Sequence, residues 1–494
     1  MTLLCLAAIW LAGFGLVRWL FPRPRGWSLH NIWLFSLAVG TGAGVASCVY
    51  FLALLLAGPS VAILAPALVV VVAIALGLGF LTKRTGTQLD WAASPPVPRY
   101  LRILFLAAAA LALVMFLSAV LYNSHGEEGA WSIWNLRARF LVRAGTFWRL
   151  AFSSDLNWSR LDYPLLLPSL VALCWKLSRE ESTAAPVAIA FLYGIGTLGV
   201  LISTLAALRG KTMAMVAGML LLGTASFVAL TAALYGDVPL SFYILSAIAL
   251  LCLQDRHPED LRFSALAGLM AGFAAWTRNE GLVFAIALLL ARTFALFLVR
   301  QRLAIVPQFL RLLAGMAAPL AVLITFKLRV APPSEYLSVP RAVILKNLTD
   351  VGRWITMIQG LMLVLLNFGR FLIPIVLLLG LYLYLLRSRP SENVASSESV
   401  SYRAALTTAW IALPVTLVVQ MVLDVLYEPN LALEIGTSGE RSLIQLWPAA
   451  LLAFFLASRP LQLVAPEQDR KSKPAGKSTR PKSAKSRHSV AETH

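Results

Sequence analysis

Long apolar runs separated by short polar breaks dominate the chain. They fall near residues 3–21, 31–57, 60–81, 101–122, 163–178, 184–208, 212–233, 238–254, 262–276, 282–299, 304–328, 357–386, 404–425 and 442–459. A spanning helix needs roughly 20 predominantly apolar residues, and most of these runs approach that length. The period-two segments that a membrane β-barrel requires are absent. The pattern predicts an all-α polytopic membrane protein without internal repeats. The first run, Leu3 to Leu20, has neither a basic leader nor a small-residue cleavage site, so it is expected to be a retained helix.

One polar stretch, Tyr122 to Pro164, interrupts this pattern. Acids stand near its ends (Glu127, Glu128, Asp162), with arginines and tryptophans between them. Disordered segments are poor in aromatics, so a structured interfacial loop is expected. Within it, residues 130–144 place Ala130, Ile133, Trp134, Leu141 and Ala144 on one helical face and Ser132, Asn135, Arg139 and Arg143 on the other. That predicts an amphipathic helix lying flat in the interface, with Trp131, Trp134, Trp148 and Trp158 near headgroup level. Arg137 falls inside the apolar stripe, where it either snorkels or meets a buried phosphate.

Lysines and arginines in short loops set the expected orientation. Arg18, Arg23, Arg25, Lys83, Arg84, Arg99 and Arg102 mark early cytoplasmic connections. Arg209, Lys211, Arg256, Arg262, Arg300, Arg302, Arg387, Arg389 and Arg403 mark later ones. The outer side then receives the Tyr122–Pro164 loop, the Tyr235-Gly236-Asp237 turn, Arg278–Glu280, residues 329–356 and Tyr427–Arg441. Three runs separate the first loop from Asp237, and an odd number would put the two on opposite sides. The run 163–178, short and bracketed by Asp162 and Lys176, is therefore expected not to cross; a shorter role for 184–208 is the alternative. About 13 transmembrane helices result, with the N-terminus outside and the C-terminus inside.

Composition agrees. The chain of 494 residues is 59% hydrophobic and 13% charged, more apolar than a soluble domain could bury. The net charge of +19 is concentrated at Arg470, Lys471, Lys473, Lys477, Arg480, Lys482, Lys485 and Arg487, among Ser, Pro and Ala. Residues 461–494 are expected to form a disordered, solvated cytoplasmic tail, with attraction to anionic lipid headgroups as the next reading. The tail offers no stacking platform, which argues against nucleic acid as a partner. Cys5, Cys48, Cys174 and Cys252 lie in apolar runs and are expected to be packed thiols; with five scattered histidines, no metal site is expected.

Ionised side chains near bilayer depth demand a partner or a purpose. On the expected outer side these are Glu127, Glu128, Asp162, Asp237, Arg278, Glu280 and Arg441. Acids and arginines on one face suit a reaction that takes a proton from a hydroxyl while expelling a phosphate. A carboxylate serves as general base, and guanidinium groups neutralise the leaving group. Each residue also has a plainer reading: Glu127 and Glu128 as loop acids, Asp162 as a helix cap before Tyr163-Pro164, and Asp237 as an N-terminal helix charge. Arg278 and Glu280 could pair with one another, and Arg441, beside Glu440, could be a rim cation.

Four segments carry a family resemblance. They are Glu127-Glu128-Gly129-Ala130-Trp131-Ser132-Ile133-Trp134-Asn135-Leu136-Arg137-Ala138-Arg139 with Asp162-Tyr163-Pro164-Leu165-Leu166-Leu167-Pro168; Tyr235-Gly236-Asp237-Val238-Pro239-Leu240; Trp276-Thr277-Arg278-Asn279-Glu280-Gly281; and Thr437-Ser438-Gly439-Glu440-Arg441. In this order they resemble the GT-C superfamily of polyprenyl-phosphate-sugar-dependent glycosyltransferases, with the protein O-mannosyltransferases and the lipid A aminoarabinose transferases among its members (glycosyltransferase family 39). The resemblance covers roughly residues 101–460, leaving 1–100 as an N-terminal transmembrane extension. The first-loop acid is Glu here where Asp is usual.

The resemblance implies a bacterial inner-membrane glycosyltransferase whose site faces the periplasm or outside. It would move a sugar from a polyprenyl phosphate to a glycan, lipid or protein acceptor, with inversion. Glu127, Glu128 or Asp237 would be the base, and Arg137, Asp162, Arg278, Glu280 and Arg441 would bind substrate. It implies no cofactor and no strictly required metal, though it leaves room for a loosely held divalent cation. Membrane lipids would be further partners. The alternatives are a transporter or flippase of a lipid-linked glycan, or a non-catalytic membrane protein of envelope assembly.

Overall fold

The computed structural model describes residues 1–21, 29–81, 96–371, 374–387 and 402–458. Every regular element among them is helical. The principal helices are α1 (Thr2–Leu20), α2 (His30–Ala57), α3 (Val61–Leu81), α4 (Arg99–Tyr122), α5 (Asn135–Arg143), α6 (Leu166–Ser178), α7 (Ala184–Arg209), α8 (Lys211–Gly223), α9 (Ala225–Ala232) and α10 (Asp237–Arg256). They continue as α11 (Arg262–Thr277), α12 (Asn279–Leu298), α13 (Ile305–Arg329), α14 (Glu335–Ser338), α15 (Arg341–Thr349), α16 (Val351–Asn367), α17 (Ile375–Arg387), α18 (Arg403–Tyr427) and α19 (Leu431–Ala457).

Ten of the described helices are long and apolar enough to cross a membrane, or eleven if α8 and α9, bent by 62° at Thr224, count as one span. The chain is an integral membrane protein, and two of the thirteen expected spans fall outside this length count. The run 262–276 forms α11, only 16 residues long. The run 442–459 is the second half of α19, whose first half carries Glu434, Glu440 and Arg441. Both still run along the bundle: α11 brings the chain back to Arg278 beside Asp237, and α19 leads from Arg441 beside Asp237 to Leu456, whose carbonyl accepts from Arg209. The expectation for 163–178 holds: α6 has 13 residues, about 20 Å at 1.5 Å per residue, short of a hydrocarbon core of about 30 Å.

α10 runs through the centre of the bundle, buried continuously from Asp237 to Gln254. It is apolar on every side, as a helix surrounded by other helices must be. It packs on α7, α11, α18 and α19. The first three helices are not set apart at residue 100: α2 packs on α6 and α7, and residues 1–461 form one contact unit. The basic tail, and the loops carrying Arg23, Arg25, Lys83, Arg84 and Arg389, lie outside the described residues.

The segment 130–144 departs from the flat amphipathic helix. Residues 130–134 form a π-helical turn before α5. The wider turn breaks the 100° wheel on which the two faces were assigned. Ser132, Asn135 and Arg137 are buried along with Trp134, Ala138 and Leu141. α5 packs against α6 and against the 3-10 turn Gly145–Phe152, so both faces are covered by protein.

The far end of α10 is tied by an ion pair. Arg292, 1% exposed, donates to Asp255 and to the Gln308 amide oxygen at 2.7–2.9 Å, and Asp255 also accepts the Ala405 N–H at 2.6 Å. Removing one member of such a pair strands the other charge without water. Asp255→Ala is expected to cost about 3–5 kcal/mol, read as a clear fall in melting temperature of the purified protein; a melting curve like that of the parent would disprove the role.

Candidate functional site

At the other end of α10 the chain brings together segments more than 200 residues apart in sequence. Asp237 opens α10 and is fully buried. Its Oδ1 accepts from Arg278 Nη1 at 2.8 Å and from Gln445 Nε2 at 2.7 Å. Its Oδ2 accepts from Arg441 Nε at 3.2 Å and Nη2 at 3.0 Å. A carboxylate offers about four lone-pair sites, and here four N–H donors occupy them. The helix N-terminus adds its own positive potential.

Arg278 stands at the break between α11 and α12. The break is tight because Gly281 lies against the end of α11: a Cβ there would sit 1.9 Å from the Ala274 carbonyl oxygen. Arg278 also pairs with Glu280, Nη2 to Oε1 at 2.6 Å and Nε to Oε2 at 3.2 Å. Burial alone would lower the guanidinium pKa, but Asp237 and Glu280 hold it well above its ordinary value. Its charge is permanent. Glu280 further accepts from the Tyr163 hydroxyl at 3.4 Å, and burial, with Glu280 alongside, raises that phenol to about 12. Tyr163 is therefore a neutral donor.

Arg441 comes from α19, ten residues after that helix opens, or about 15 Å along it. Glu434, Arg441 and Gln445, spaced by seven and four, share one face of α19. The Arg441 guanidinium also lies 4.6 Å over the Tyr235 ring.

The first loop is locked onto this cluster. Trp134 packs over the turn before α10, where a Cβ on Gly236 would lie 2.8 Å from Trp134 Cζ2, and it stacks on Tyr163 at 5.8 Å. Arg137 does not meet a phosphate-sized space. It is fully buried and donates to the carbonyls of Ser159, Arg160 and Tyr163, so it holds the loop instead. Burial lowers its pKa to about 10, with Asp162 opposing, which leaves it charged at neutral pH. Asp162 accepts from Asn279 at 2.8 Å and pairs with Lys327 at 3.5 Å. It ties the loop to α12 and α13 and does not line the cavity.

That cavity, about 270 Å³, opens beside Arg278 and Arg441. Its charged lining is Arg160, Arg278 and Arg441 with Glu280, Asp424, Glu428 and Glu434. Glu127 and Glu128 do not line it: both are exposed, on a loop held by the Glu127 N–H to Ala233 and the Gly129 N–H to the Tyr235 hydroxyl, each 3.2 Å. Arg160, Lys327, Asp424, Glu428 and Glu434 were missed from sequence, and Asn279 was quoted there without a role. The same rule about charges near apolar runs picks out Lys327 and Asp424, each at the end of such a run. No protein-family model, curated protein or solved structure matches the chain.

Two expectations follow. Asp237→Asn puts an NH2 donor where two guanidinium groups already donate, and should destabilise the protein by about 3–5 kcal/mol in thermal unfolding. A proton acceptor with no structural duty would instead melt unchanged as Asn. Arg137→Leu releases three carbonyls, so hydrogen exchange across Ser153–Tyr163 should quicken about tenfold or more; unchanged protection there would remove Arg137 from its positioning role.

Proposed function

We propose that the chain is a membrane glycosyltransferase that takes a sugar from a polyprenyl monophosphate. The observation that carries the reading is the convergence of Arg278 and Arg441 on Asp237 at the rim of an acid-lined cavity. Two fixed guanidinium forks match a phosphate, and Asp237 spares them the cost of arranging themselves when one arrives. Asp237 acts here as a positioning residue, since its lone pairs are already used.

In the step itself an acceptor hydroxyl oxygen attacks the anomeric carbon and the carbon–oxygen bond to phosphate breaks. The bonding pair leaves on the phosphate oxygen, facing Arg278 and Arg441. The hydroxyl proton passes to a cavity carboxylate. Glu280, which lines the cavity beside Arg278, is the carboxylate that would take it. Displacement from the opposite side inverts the anomeric centre. Asp162, Lys327 and Asn279 brace the loop that closes one wall. The cavity would face the periplasm or outside of a bacterial inner membrane, with the C-terminus in the cytoplasm, following the lysine and arginine asymmetry of the loops.

The test is release of free polyprenyl phosphate from a radiolabelled polyprenyl-phosphate sugar by purified protein with a hydroxylic acceptor. Arg278→Ala and Arg441→Ala should each lower turnover about a hundredfold or more, and Glu280→Gln should do the same with the lipid still bound. Glu127→Gln and Glu128→Gln should turn over normally. Lipid that binds and crosses vesicles without cleavage would point to a flippase instead.

A further inference from the structure

The cavity is unbalanced in charge. Among the described residues, Glu280, Asp424, Glu428 and Glu434 line it and Asp237 lies behind it, five carboxylates against the guanidinium groups of Arg160, Arg278 and Arg441. The difference, 3 − 5, is −2. Lys327, nearby, is matched by Asp162. The surplus sits on one wall, where α18 ends and α19 begins, and the C-terminus of α18 adds negative potential.

We propose that Asp424, Glu428 and Glu434, with the side-chain carbonyl of Gln420, form a binding site for a hard divalent cation. One carboxylate oxygen from each of the three acids lies within 4.8 Å of the others. Oxygens on a single calcium ion stand at 2.3–2.6 Å from it, so two of them can be about 5 Å apart. Arg160 holds Glu428 at 3.3 Å and Glu434 at 3.9 Å from one side. Among the described residues Asp424 has no ion pair.

Gln420 is a second, independent sign. It is 7% exposed, lies one helical turn before Asp424 on the same face, and lines the same cavity. Its Nε2 turns toward Gln445 Oε1 at 3.4 Å, and its own Oε1, buried, has no hydrogen-bond partner. An amide oxygen left without a donor in a buried place is costly, and it is a good neutral ligand for calcium. The all-oxygen set suits Ca2+, Mg2+ or Mn2+ and lacks the nitrogen or sulfur that zinc favours. The site stands on this geometry alone; only its service to a donor phosphate, offsetting the acidic wall, rests on the transfer reading.

Full-length protein stripped with chelator and returned to chelator-free buffer is titrated with CaCl2, MgCl2 or MnCl2 at fixed ionic strength, by calorimetry and by melting temperature. Saturable binding with a rise in melting temperature is expected. Asp424→Asn and Glu434→Gln should weaken it about tenfold or more. Gln420→Ala, which alters no charge and so guards against misfolding from charge loss, should weaken it severalfold. Asp155→Asn, at an exposed acid of the first loop, should bind as the parent does. Equal binding by every variant, or no saturation by about 10 mM, overturns the site. Cation binding without lipid-phosphate release would overturn the transfer reading alone, and release without cation binding would overturn this site alone.

Discussion

A carboxylate with no water around it must find its hydrogen bonds inside the protein, and Asp237 finds them on two arginines and a glutamine. That need draws three remote pieces of chain to one place: the opening of α10, the α11–α12 break and the middle of α19. Stranding any member would leave a charge buried and unpaired, which is far more costly than the net gain from pairing it. The same contacts hold both guanidinium forks in fixed directions beside the cavity.

α10 is pinned at both ends, by Asp237 at one and by Asp255 with Arg292 at the other. Between these ends it is buried, and Tyr243 adds a mid-helix anchor by donating to the Gly40 carbonyl at 2.9 Å. Charge placement at the ends and this hydroxyl in the middle together fix the register of the central helix. The first loop follows from it: Trp134 can lie over the turn before α10 only because Gly236 has no side chain, and Arg137 then braces the strip from Ser159 to Tyr163 that completes the wall.

The cavity has two walls of unlike sign. Arg278 and Arg441 present positive charge next to Asp237, while Asp424, Glu428 and Glu434 face them with a surplus of acid. On the proposed reading, a phosphate would meet the first wall and a cation the second.

The class of the protein was legible from apolar run lengths, because a bilayer imposes a length that composition reveals directly. So was the short α6, since Asp162 and Lys176 bracket too few residues to cross. The segments Tyr235–Leu240, Trp276–Gly281 and Thr437–Arg441 also stood out as polar islands beside apolar runs, and Asp237, Arg278 and Arg441 do meet. What each charge does was decided only by the tertiary structure. Asp237, one of three candidate bases or a helix-end charge, has its four acceptor sites filled; Arg137, expected to snorkel or to meet a phosphate, is held by three carbonyls; and Glu127 and Glu128 are exposed. Asp424, Glu428 and Glu434 were not singled out in the sequence, and folding placed them on one wall. The physical reason is that hydrophobic length is a local property of the chain, whereas the role of a buried charge depends on which distant groups surround it.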